Sequence, residues 1–122
     1  MINDIIDYPS TIERLTIKYY DPVDLSNGNI TIFQSNGSSR GIIRQIVSLN
    51  SRRHEDYIEV VDDTTVSVKI ISSTFNMPNE TYYVLIDNNF VKSRIYKDPL
   101  YGLNEKVWTF KTSACFYKLL SF

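Results

Sequence analysis

The chain holds one histidine and one cysteine. His54 stands in an arginine-rich stretch with no cysteine or carboxylate at metal-ligand spacing, so it does not make a zinc site. Cys115, alone, cannot form an intrachain disulfide. No Gly-x-Ser-x-Gly elbow is present to activate a serine. The carboxylates Glu55, Asp56, Glu59, Asp62 and Asp63 gather in or beside one hairpin, and Asp87 precedes Asn88 and Asn89. Either group supplies the hard oxygens that calcium takes. Neither has an EF-hand or Asp-x-Asp pattern, and the reading favoured is a charged turn that discourages aggregation. Catalytic, cofactor-binding and metal sites are therefore expected to be absent.

Three sequons occur, at Asn29, Asn36 and Asn79. Each accepts N-glycan if the chain enters the secretory pathway. Asn36 and Asn79 fall in expected loops and are the better candidates. Between Val91 and Leu103 lie Tyr96, Pro99, Leu100 and Tyr101. This stretch reads as a long loop joining the last two strands, and such loops carry recognition. Tyr96 and Tyr101 are the candidate contacts for a partner or a glycan.

A chain of 122 residues with 43% hydrophobic and 13% aromatic residues is one domain with a packed core. Net charge is -1, from 13 basic and 14 acidic residues that intermix. No basic stripe marks a nucleic-acid partner, and no polybasic cluster marks an anionic membrane surface. The N-terminal residues lack the basic start and apolar run of a signal peptide. Direct membrane insertion is not expected.

The elements that must position these residues are strands. Leu15, Ile17 and Tyr19 alternate with Thr16, Lys18 and Tyr20, the period of a half-buried strand that Asp21-Pro22 ends. A short edge strand is expected at Ile5 and Ile6. Asn27-Gly28 predicts a turn before a strand from Ile30 to Phe33. Gly41 to Val47 predicts another, with Ile42 and Ile46 on one face and Ile43 and Val47 on the other. Tyr57 to Val61 is short. Thr64 to Ile71 is expected to point Val66, Val68 and Ile70 inward and Thr65, Ser67 and Lys69 outward. Pro78 turns the chain into Tyr82-Tyr83-Val84, and a last strand carries Trp108 and Phe110. Only the tail, Ser113 to Phe122, has any helical character. Seven or eight short strands with regular turns indicate an antiparallel sandwich, open to self-association at a sheet edge.

Within that frame Tyr82 or Tyr83 is expected at a tyrosine corner, its hydroxyl tying the connecting loop to the strand. If Tyr82 points inward with Val84 and Ile86, Tyr83 points outward. Trp108 and Phe110 are expected to fill the core.

Five landmarks follow one another along about residues 9–113. They are Tyr19-Tyr20-Asp21-Pro22-Val23, the strand from Gly28 to Ile32, Pro78 to Val84, Asp87 to Lys92, and Trp108-Thr109-Phe110-Lys111-Thr112. Their order and spacing resemble the bacterial-type, S-layer-like immunoglobulin-like domains, and especially their fungal surface-protein relatives. The resemblance implies an immunoglobulin-like β-sandwich occupying 1–122, with 114–122 as a tail. It also implies a non-enzymatic structural or adhesive module of a secreted or cell-surface protein. Its partners would be neighbouring immunoglobulin-like domains, or another surface protein or glycan. The alternative is a carbohydrate-binding sandwich that uses the aromatics between the last two strands.

Overall fold

The structure, a computed structural model, describes residues 6–8, 13–35, 41–77, 80–103 and 108–112. Among these residues ten strands run in chain order: β1 (Ile6–Tyr8), β2 (Arg14–Lys18), β3 (Val23–Leu25), β4 (Asn29–Gln34), β5 (Ile42–Ser48), β6 (Ile58–Val60), β7 (Thr65–Lys69), β8 (Thr81–Ile86), β9 (Val91–Ser93) and β10 (Thr109–Thr112). A 3-10 turn at His54–Asp56 lies between β5 and β6. The chain is all-β, and no α-helix is present among the described residues.

The strands form three sheets, ordered β1-β10-β8-β4-β5, β2-β7-β6 and β3-β9. Every pairing is antiparallel except the short parallel contact of β1 with β10. One apolar core joins them, an arrangement consistent with a β-sandwich. Ile30, Ile32, Val47, Tyr82, Val84 and Ile86 come from the large sheet, Leu15, Ile17, Ile58, Val66 and Val68 from the second, and Val23 and Val91 from the third. The eBeBe burial of β2 is the period-two pattern read directly as pleat. At the turn into β4, Gly28 has φ +94°, and an added Cβ would lie 2.9 Å from the Asp87 Cβ. The same Asp87 Oδ2 accepts a hydrogen bond from the Asn29 N–H at 2.9 Å, which fixes the start of β4.

The strand count exceeds seven or eight because of β3 and β9, which have three residues each and are too short to display a period. β9 lies inside the stretch expected to be one long loop. Pairing with β3 makes it a strand: Val23, Asp24 and Leu25 face Ser93, Lys92 and Val91. β7 also differs from expectation. Thr65 and Ser67 point away from the core yet are buried. β7 runs between β2 and β6, and Arg14 and Glu59 reach from those strands to bond at 3.1 Å. Long side chains on the flanking strands close over short ones between them.

β8 alternates as expected, with Tyr82, Val84 and Ile86 in the core. Tyr83 is on the opposite face but is not exposed. It stacks on Phe33 of β4 with ring centroids 4.9 Å apart and planes 9° from parallel, and both rings are buried. An outer sheet face in an antiparallel sandwich is normally polar. Here its middle is aromatic.

Candidate interaction surface

Among the described residues, β5 ends the five-stranded sheet and bonds to β4 on one side only. Its sequence is Ile42-Ile43-Arg44-Gln45-Ile46-Val47-Ser48. Ile32 pairs with Gln45, but Phe33 pairs with Ile43, so Arg44 is an extra residue, a β-bulge. That one residue corrects the expected assignment of faces. Ile42 falls on the side of Val47, and Ile43 falls on the side of Ile46. Alternation without a bulge would give the reverse, because a one-residue slip moves every side chain beyond it to the other face.

The bulge turns Arg44 and Gln45 toward the segment that follows β7. Gln45 is buried. Its Nε2 donates to the Lys69 carbonyl (2.9 Å), and its Oε1 accepts from the Thr74 hydroxyl (2.6 Å) and the Ile71 N–H (3.3 Å). Arg44 donates to the carbonyls of Ser73 (2.6 Å) and Thr74 (3.3 Å) and to the Asn76 side-chain oxygen. These bonds satisfy polar groups that burial would otherwise penalise, and they tie the large sheet to the second one.

Arg44 is thereby drawn off the strand edge, and isoleucines dominate what is left. Ile42, Ile43 and Ile46 are 50%, 53% and 49% exposed. Beside them opens a groove of about 480 Å³, lined by Ile43, Ile46, Ile71, Tyr57, His54 and Ser51 among others. The 3-10 turn forms its far wall. There the His54 Nδ1 lies 2.9 Å from the Ser51 carbonyl, and the Tyr57 carbonyl accepts from the Lys69 N–H at 2.7 Å. His54 thus belongs to a hydrogen-bonded turn. Among the described residues no group of three or more His, Cys, Asp or Glu could hold a metal ion. No described helix is long and apolar enough to cross a membrane.

The end of the fold near Arg94 is built differently. Arg94 Nε donates to Asp24 Oδ1 (3.0 Å), Nη1 to Asp63 Oδ1 (2.8 Å) and Nη2 to the Val23 carbonyl (3.1 Å). Its own N–H donates to the Pro22 carbonyl. One guanidinium therefore joins β3, the β6–β7 turn and the turn after β9. The two aspartates hold it above its ordinary acidity range.

The other residues singled out by sequence fall as follows. Tyr82 is fully buried, and its hydroxyl donates to the Met77 carbonyl at 3.3 Å. The Thr112 hydroxyl donates to the same carbonyl at 2.6 Å, so two strands grip the connection ahead of β8. Burial pushes the Tyr82 phenol up, and that of Tyr19 up to about 12. Trp108 is 5% exposed in the core, and no acceptor reaches its Nε1 among the described residues. Phe110 pairs with Tyr82 across β10 and β8. Tyr96 and Tyr101 are 71% and 87% exposed. They do not form a pair. Tyr96 sits on the turn beyond β9, whereas Tyr101 follows Leu100, whose carbonyl accepts from the Asn89 N–H at the other end of that strand. Asn29 opens β4. Asn36, Asn79, Pro78 and Cys115, and the tail from Ser113, lie outside the described residues.

The β5 edge was missed by period reading. A signal for it is present: two consecutive polar residues, Arg44 and Gln45, split an apolar run and fit neither face of an unbroken strand. Comparison with protein-family models, with curated proteins and with solved structures finds no match to this chain.

Proposed function

We propose that this chain is a non-enzymatic, immunoglobulin-like module with a structural or adhesive role in a secreted or cell-surface protein. The five sequence landmarks support the family assignment. The β5 edge carries the functional part, since half-exposed isoleucines beside backbone that only β4 pairs among the described residues suit contact with another strand. The polar side chains of Gln45, Arg44 and Arg94 are held by hydrogen bonds that join loops to strands. Displayed on the surface of non-adherent cells, the module should make those cells adhere to one another or to a second surface. Display that leaves adhesion unchanged overturns the reading.

One observation favours a carbohydrate-binding module instead, the exposure of Tyr96 and Tyr101. Exposed aromatic rings offer stacking faces. Because the two lie at opposite ends of β9, each would act singly. Glycan-array binding that disappears in Tyr96→Ala or Tyr101→Ala would transfer support to this second reading.

A further inference from the structure

We propose that the β5 edge pairs antiparallel with the β5 edge of a second copy of this chain. The proposal names a partner for the contact-forming module above and rests on that reading.

Three observations lead to a second copy. First, the edge has one guard, the bulge at Arg44, and lacks the others. Edge strands are normally protected by a bulge, a lysine, an inward charge or a proline. Arg44 is the only charged residue in β5, and its guanidinium is bonded to Ser73, Thr74 and Asn76. Among the described residues, only β4 pairs with this strand.

Second, the row is complementary to itself. Ile43 faces the same way as Ile46, because they pair with Phe33 and Thr31 on the face away from the core. A two-fold axis between Arg44 and Gln45 sets Ile43 across from Ile46 of the second copy. Symmetry then makes the same contact twice. The bulge does not spoil the register, since it recurs at the same position in both strands.

Third, the area suits a reversible dimer. Seven extended residues span about 24 Å, and two packed layers with their side chains are about 20 Å deep. The footprint is then roughly 500 Å² per copy, or about 1,000 Å² in all, the lower bound for a specific interface. Such a contact is weak for one pair and strong for many copies held on one surface.

Sedimentation equilibrium of the full chain over a dilution series tests the proposal. Reversible, concentration-dependent dimerisation is expected. Ile43→Lys and Ile46→Lys should each weaken it at least about tenfold by placing a lysine against the apolar row. Melting temperature should hold, because both positions are half exposed. Val61→Lys, which changes an exposed residue in the β6–β7 turn, should leave dimerisation unaltered. Hydrogen exchange should slow at the amides of residues 42–48 as concentration rises. A chain that stays monomeric to its solubility limit overturns the proposal, as does a dimer indifferent to both lysines or protected elsewhere. A monomer that still confers adhesion in the display experiment would leave the module reading standing. A β5 dimer whose display confers no adhesion would remove the module reading and keep the pairing.

Discussion

β4 and β5 are neighbours, both rich in isoleucine, and they meet opposite fates. Ile30 and Ile32 of β4 are 1% exposed, whereas three isoleucines of β5 are about half exposed. β4 lies between β8 and β5 with a strand on each side. Among the described residues β5 has a strand on one side, and it has a bulge at Arg44. Residue type is the same in both strands, so position in the sheet decides burial. An isoleucine in the core contributes to folding, while one on the edge leaves its apolar surface for an encounter.

The sharpest way to break this comparison is to shorten side chains on each side of it. Trp108→Ala should cost about 3–5 kcal/mol, the usual penalty for emptying a large aromatic site. Urea denaturation measures it, and a loss below about 1 kcal/mol would contradict burial. Ile32→Ala should cost about 2–5 kcal/mol, whereas Ile46→Ala should stay within about 0.5 kcal/mol of wild type. Equal penalties would erase the distinction between the strands.

Gln45→Ala tests the tie that holds the edge to the second sheet. It strands the Thr74 hydroxyl, the Ile71 N–H and the Lys69 carbonyl, at a cost of about 1–3 kcal/mol. Faster hydrogen exchange in residues 71–77 should accompany the loss.

The last test has no effect near neutral pH. Burial raises the Tyr19 phenol from 10.0 to about 12, so on raising pH the unfolded chain ionises before the folded one. Stability is then intact below about pH 10 and declines as pH climbs toward 12. Tyr19→Phe should flatten that decline.

Much of the scaffold could be read from spacing. Leu15 and Ile17, the Asn27-Gly28 turn, and the Tyr82, Val84 and Ile86 face all announce themselves through period two or turn chemistry. β3 and β9 could not be read that way. Each is too short to alternate and becomes a strand only by pairing with the other across more than sixty residues of chain. Arg94 carries no local signal either, because its partners Asp24 and Asp63 are near only after folding.

The amino-acid sequence alone determined that this chain builds β-strands around an aliphatic and aromatic core, and it marked several of the turns. Those properties follow from side-chain shape and local alternation, which act over a few residues. Tertiary structure decided that Ile43 and Ile46 share one exposed face, that Arg44 turns away from the edge, and that Tyr83 is buried on the side opposite the core. These outcomes depend on which strands become neighbours and on one extra residue in a ladder. They are set by pairing between segments far apart in the chain.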